Sequence, residues 1–198
     1  MVMEIIEDYK KYRWFITSSG KTVVGGKSAG QNENLLRKIE KSKDKYFVMH
    51  TSHPGSPFSV ILSNIINVTK NDLEECAIFT GAFSRAWKEG KKKTYVHIFL
   101  STQLRKEKNM KSGTWNVVGK VDEILVGLEL ILIKQKKTYR AVSEKTAGKK
   151  KGIKICPGRI DKEEMAKILI IVLKEKEEKK NEILSALPAG GFRIYKTI

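Results

Sequence analysis

Short stretches rich in apolar and β-branched residues punctuate the first hundred positions. Arg13-Trp-Phe-Ile-Thr17 and Thr22-Val-Val-Gly25, joined by Ser18-Ser-Gly20, predict a β-hairpin. Gly25-Gly26 ends its second strand. Ser28 then stands three residues before Gln31, the spacing of a capping box, and Leu35, Leu36 and Ile39 give the helix that follows an apolar side. Tyr46-Phe-Val-Met-His50 and Phe58-Ser-Val-Ile-Leu62 read as strands around a tight turn at His53-Pro-Gly-Ser56.

The period then changes. Leu73, Cys76, Ala77, Thr80, Phe83, Ser84 and Trp87 recur at helical spacing, after a cap at Thr69 or Asn71 and before a glycine stop at Gly90. Several are small, which suits close packing on a sheet. From Thr94 to Leu100, Tyr95, His97 and Phe99 alternate with Val96, Ile98 and Leu100, the pattern of a central strand. Further strands are predicted over 115–118, 125–133 and 139–142. A terminal helix starts at Asp161, with Glu164 in the capping-box position and Met165, Ile168, Leu169 and Val172 as its inner stripe. Pro188 and Gly190-Gly191 end it, and Phe192 to Tyr195 supplies an edge strand.

Strands in runs between single helices predict an α+β fold. We expect a mixed, mainly antiparallel β-sheet with helices packed on one face, plus a C-terminal helix. Residues 1–143 are expected to form the main domain. Residues 144–198 are expected to add a basic loop and the C-terminal helix, packed on the same domain.

Charge sharpens this picture. The 198 residues hold 39 Lys+Arg against 22 Asp+Glu, a formal net charge of +17. A folded chain so basic repels itself, which favours an anionic partner. Nucleic acid is the commonest such partner, and an anionic membrane surface or a merely solvated lysine surface is the competitor. No segment resembles a signal peptide or a membrane span, so the expected location is cytoplasmic and no membrane partner is expected. Cys76 and Cys156 are too far apart in sequence for a metal knuckle and fit a reducing compartment. His50 and His53 lack the acidic or thiol ligands that would complete a metal site. No metal and no cofactor is expected. No Walker loop, nucleophile elbow or paired-carboxylate signature is present, so the chain is not expected to be an enzyme.

Several stretches carry the chemistry of phosphate and base contact. Gly25, Gly26, Lys27 and Ser28 bring a glycine pair, a cation and a helix amino terminus together, either to hold a phosphate or simply to turn and cap the chain. Gln31 and Asn32 in the first helical turn either meet a base or brace the hairpin. His50, His53 and Ser56 flank the Pro-Gly turn, where a histidine can stack on a base or sit as a structural ring. Lys91, Lys92 and Lys93, then Arg105 and Lys106, form a basic segment with aromatic neighbours, the electrostatic footprint of RNA binding. Trp115, beside Lys111 and Gly113, is the tryptophan expected to be accessible; Trp14 and Trp87 are expected in the core. Residues 134–154 hold nine basic side chains against Glu144, and 149–151 is expected to be a mobile basic loop that orders on binding.

The block from Tyr12 to Glu33 (Tyr-Arg-Trp-Phe-Ile-Thr-Ser-Ser-Gly-Lys-Thr-Val-Val-Gly-Gly-Lys-Ser-Ala-Gly-Gln-Asn-Glu) resembles the opening of the NFACT-R domain, the RNA-binding module of the NFACT proteins of ribosome-associated quality control. Further blocks follow in that family's order: Val48-Met-His50 with Pro54-Gly-Ser56, Phe83-Ser-Arg-Ala-Trp87, Gln103-Leu-Arg-Lys106, and Gly113-Thr-Trp-Asn-Val-Val-Gly-Lys120. The resemblance covers roughly residues 10 to 135 and places Arg13 among the candidate contacts. Gly26-Lys-Ser28 stands where the family favours Gly-Arg-Asp, and Pro57-Phe58 where a histidine often follows the turn. The other domains of full-length members find no counterpart here, so a free-standing copy of the module is expected. The resemblance implies binding of structured RNA, tRNA or rRNA, with the ribosome or RNA-modification proteins as possible company. The alternatives are a protein-interaction adaptor docking through residues 165–187, and an RNA-processing enzyme or its accessory subunit that uses His50 and His53.

Overall fold

The computed structural model describes residues 6–42 and 44–195. The predicted hairpin is present as β1 (Arg13–Ile16) and β2 (Thr22–Gly25), followed by helix α1 (Ala29–Glu40), β3 (Phe47–Thr51) and β4 (Ser59–Ile61). Next come α2 (Lys70–Ala82), α3 (Arg85–Lys88), β5 (Lys93–Leu100), a small ribbon of β6 (Leu104–Arg105) and β7 (Asn116–Val117), and β8 (Asp122–Gly127). Six of these strands form one sheet in the order β1-β2-β4-β3-β5-β8, antiparallel throughout.

The α+β class and the antiparallel pairing agree with the sequence reading, and the helices are shared between the two faces of the sheet. The reason is visible in the strands. Trp14-Phe15, Val23-Val24, Val48-Met49 and Val60-Ile61 are adjacent buried pairs, so each strand is apolar on both sides. Phe15, Val23, Met49 and Ile61 face α2, whose small residues Cys76, Ala77 and Ala82 allow close approach. Gly81 allows the same: a Cβ there would lie 2.9 Å from Thr94 and Val126 side-chain carbons. Trp14, Val24, Val48 and Val60 face Leu35, Leu36 and Ile39 of α1. Thr69 and Asp72 form the capping box that starts α2. The long helix expected to run to Trp87 is interrupted at Phe83, and Ser84 recaps it as α3.

Beyond Gly127 the chain leaves this sheet. The stretch predicted as one strand over 125–133 divides into β8 and β9 (Leu130–Gln135). With β10 (Thr138–Val142), β11 (Ile153–Ile160) and β12 (Phe192–Tyr195), β9 builds a second, four-stranded antiparallel sheet in the order β10-β9-β11-β12. β11 falls where the sequence reading placed no strand. Pro157-Gly158 looks like a breaker, and here it forms an irregularity: Pro157 and Ile160 both register with Phe192. α4 (Glu144–Ala147) precedes β11; α5 (Lys162–Leu173) and α6 (Lys180–Ala186) lie between β11 and β12. The terminal helix is therefore two helices, because Lys174 adopts a left-handed conformation (φ 53°) and closes the first. Its buried stripe is Met165, Ala166, Leu169 and Ile170; Val172, expected to face inward, is 49% exposed.

One buried cluster runs from the α2 face of the first sheet into the second sheet and its helices. Polar ties reinforce it. The buried Glu75 accepts hydrogen bonds from Ser18 N (2.8 Å) and Thr146 Oγ1 (2.6 Å), and the buried Asp72 from Ser19 Oγ (2.6 Å). The Gln135 side chain bonds both N and O of Ile16 (2.8 and 2.7 Å), closing the open edge of β1.

Candidate nucleic-acid interface

The amino terminus of α1 sits against the turn that follows β3. Ser28 caps the helix by accepting from Gln31 N at 3.2 Å, and the Gln31 side chain accepts from Lys27 N at 2.9 Å, one residue earlier than a standard box. Asn32 is buried and its Oδ1 accepts from Phe58 N at 3.2 Å, so it braces helix to strand. Gly26 makes that possible: a Cβ there would fall 2.1 Å from Asn32 Oδ1. Arg13 donates to Gly26 O at 2.6 Å, and its guanidinium carbon lies 5.4 Å from the centroid of the Phe83 ring. Arg13, Gly26, Lys27, Ser28, Asn32 and Phe83, with the turn residues 55–57, line an open groove of about 260 Å³. Parts of two segments singled out in the sequence, Gly26 to Ser28 and the Pro-Gly turn, thus share one groove.

Its electrostatics are one-sided. Burial holds the Arg13 guanidinium below its ordinary value. Partial desolvation also lowers the exposed Lys27, and the charges of Arg13 and Arg140 lower it further. Arg140 is pushed down to about 10, by burial first, against the upward pull of Glu182 and Tyr9. Its guanidinium lies 3.9 Å from the centroid of Trp14. Lys162 is lowered by burial and by Arg13, against the upward pull of Glu163. Among the described residues no carboxylate forms an ion pair with Arg13, Lys27 or Arg140, while thirteen such contacts are made elsewhere. Cations gathered without counter-charge lose self-repulsion when an anion binds. Arg13, Lys27 and Phe83 also border a smaller cavity of about 60 Å³ with Lys10, Trp14 and Arg140, extending the positive surface past the edge of β1.

The Pro-Gly turn is built from the backbone outward. Thr51 N donates to Ser56 Oγ at 2.9 Å and Thr51 Oγ1 to His53 O at 2.6 Å. Gly55 has φ +111°, and its carbonyl accepts from Arg85 N at 2.8 Å. His53 is exposed; His50 is half-buried, its ring 4.6 Å from that of Phe58 and its Nδ1 2.8 Å from Thr51 O. Burial keeps the His50 imidazole below its ordinary 6.5, against the raising effect of the Thr51 hydrogen bond and with a further lowering by His97. His53 and Lys91 line the next hollow along the surface with Arg85. Lys91, Lys92 and Lys93 are exposed, with Lys91 paired to Glu89 at 2.8 Å.

Two expectations are overturned. Trp115 is 7% exposed, not accessible, and Lys106 is not available for phosphate. Both belong to a cluster around Glu33. Glu33 Oε2 accepts from Lys106 Nζ (2.9 Å), Gly113 N (2.9 Å) and Trp115 Nε1 (3.2 Å), and Glu33 Oε1 pairs with Arg37 (3.1 Å). The remaining Lys106 protons reach Lys111 O and Thr114 O at 2.8 and 3.0 Å. All three of its donors are used. Arg105 is exposed, but it bonds the carbonyls of Thr102 and Leu104 and lies apart from the groove. The basic run 134–154 is likewise partly neutralised, by Lys134–Glu175, Lys145–Glu74 and Lys154–Glu129 pairs. The cations bordering these hollows that the sequence reading did not single out are Arg85, Arg140 and Lys10. Arg85 was within sight in Phe83-Ser-Arg-Ala-Trp87 and Lys10 lies just before β1, while Arg140 comes from β10, whose approach to β1 no local pattern records.

A model of the family described as the NFACT protein RNA binding domain matches residues 11–119, more than half of the chain. The chain belongs to this family. The matched span of this NFACT-R protein contains every residue that lines the α1 groove, and leaves out Lys10, Arg140 and the C-terminal residues that border the adjoining smaller cavity. The archaeal Rqc2 homolog aRqcH of Methanocaldococcus jannaschii is 28% identical over 199 residues, covering 95% of this chain and 29% of that protein. The ribosome quality control complex subunit NEMF homolog of Drosophila melanogaster is 28% identical over 134 residues, 62% of this chain and 13% of that one. The NFACT-R chain thus spans less than a third of either relative's length. The C-terminal part of the fibronectin/fibrinogen-binding protein of Streptococcus suis shares the fold, with a TM-score of 0.52 and 20% identity over 58% of this chain and 44% of that one.

Proposed function

We propose that this protein binds structured RNA, tRNA before rRNA, through the α1 groove and the Pro-Gly turn, and serves ribosome-associated quality control in the cytoplasm. The observation that carries this reading is the gathering of Arg13, Lys27 and Arg140 around a helix amino terminus without a carboxylate partner. Membership of an RNA-binding-domain family, and relatives named for ribosome quality control, support it. Among the described residues no helix is long and apolar enough to cross a membrane. The protein acts as a binder: its gathered groups are cations and backbone donors, and the His50 ring packs against that of Phe58 with its Nδ1 2.8 Å from a backbone carbonyl. Ribosomal or RNA-modification proteins are its expected company.

Phosphate contacts supply affinity without sequence choice, so shape must supply the preference for folded RNA. A Lys27→Glu variant should weaken tRNA binding by about tenfold at moderate salt and lower the slope of log K against log[salt] by roughly 1. Its melting temperature should stay put, because the Lys27 side chain is exposed. Unchanged affinity in that variant would remove the groove from the interface.

A further inference from the structure

A second groove, of about 1110 Å³, lies where the two sheets diverge. We propose that it holds an unpaired strand at the end of the RNA gripped by the α1 groove, an inference that rests on the RNA reading above. Its rim is Lys92, Lys93, Arg159 and Arg193, and its one carboxylate, Glu129, is already paired with Lys154 at 2.7 Å. The rim therefore offers positive charge to a phosphate chain and little to an acidic side chain that must also find hydrogen-bond donors in register. Its floor is apolar, from Leu128, Pro157, Ile160 and Phe192, and Tyr195 stands at its mouth 39% exposed. Apolar floors and aromatic rings recognise base faces, which a duplex hides and a single strand presents.

The groove is built by close backbone packing. A Cβ on Gly158 would lie 2.4 Å from Phe192 O, and one on Gly191 2.2 Å from Gly158 O. Gly158 N donates to Gly191 O at 3.2 Å. These glycines let β11 bulge against β12, and the bulge turns Arg159 and Ile160 toward the groove. A surface path joins it to the first site. Gly55 rests on Arg85, the hollow of Arg85, His53 and Lys91 follows, and the groove begins one residue on either side of Lys91, at Gly90 and Lys92. Most of the groove lies beyond the span matched by the family model, so it is a property of this chain's C-terminal sheet.

The test is fluorescence anisotropy of the full chain with two RNA hairpins of the same stem, one blunt and one with a short unpaired tail. The wild type should bind the tailed RNA roughly five- to a hundredfold tighter, the range of one stacked base. The Arg159→Ala/Tyr195→Ala variant should lose that advantage and keep its affinity for the blunt hairpin. Lys92→Ala/Lys93→Ala, which leaves β11 and β12 untouched, should reduce the same advantage and serves should the first variant melt early. Equal binding of both RNAs by the wild type, or an advantage that survives in both variants, overturns the proposal. Failure of the wild type to bind even the blunt hairpin would instead overturn the RNA reading beneath it.

Discussion

Glu33 shows how a residue type can mislead. In the sequence it is one acid in a helix's first turn, and Lys106 and Trp115 look like RNA contacts. In the fold its carboxylate gathers both of them, with Gly113 N and Arg37. Burial pushes the Glu33 carboxyl up, and the hydrogen bonds of Lys106 and Gly113, with the charges of Lys106 and Arg37, outweigh this and hold it below its ordinary 4.5. A depressed carboxylate stabilises the fold fully above its ordinary value, and that stabilisation is lost as pH falls through the lower folded-state value. Thermal melts of the wild type should therefore weaken below about pH 4.5, and Glu33→Gln should flatten this part of the profile. Glu33→Ala should cost about 3 kcal/mol, since it strands the Lys106 ammonium and the Trp115 indole N–H. A neutral effect in urea unfolding would show that the cluster holds nothing together. No local pattern discloses such a cluster, because Lys106, Gly113 and Trp115 lie 73 to 82 residues from Glu33 in the chain.

At the scale of elements, periodicity was most informative where a segment is long and regular. The alternation from Thr94 to Leu100 and the small-residue face of α2 both place real elements. It was least informative where chain chemistry and tertiary pairing disagree. Pro157-Gly158 reads as a stop yet sits inside β11, because β12 pairs with β11 over Lys154–Pro157 and again at Ile160, and the bulge absorbs the misfit. The β9–β10 turn is another such place. Lys136 and Lys137 both have positive φ (47° and 64°), the backbone of a tight hairpin turn that ordinarily takes Asn-Gly. Lys137 is exposed, so Lys137→Gly should raise stability by about 0.5 to 1 kcal/mol through relief of the left-handed strain. A lower melting temperature in that variant would mean that the lysine makes a compensating contact.

For the whole molecule, the net charge of +17 matters less than where the fold leaves it uncompensated. Part of the basic C-terminal segment is neutralised by acids brought from α2, the β8–β9 turn and the link between α5 and α6. The charge left without an ion-paired carboxylate runs from Arg13 and Lys27 past Arg85 to Lys92 and Lys93, with Lys91 between them paired to Glu89. The glycine pair, the first helix and the Pro-Gly turn were legible in the sequence as candidate contacts. That they meet in one groove, and that Arg85 and Arg140 join them, follows only from the antiparallel sheet and the second sheet packed against its edge. Reversing Lys91, Lys92 and Lys93 together to Glu should abolish RNA binding and leave the thermal melt nearly unchanged, because all three are exposed. Retained affinity in that variant would confine the interface to the α1 groove.

The most direct test is fluorescence anisotropy with tRNA, an unstructured RNA and duplex DNA, each titrated with salt, for the wild type and for Lys27→Glu. A preference for tRNA that persists at physiological salt in the wild type, and shrinks in the variant, is the predicted result. Equal binding to all three, lost together along one steep salt slope and unaffected by the variant, would contradict shape-specific recognition in the α1 groove and leave only a basic surface.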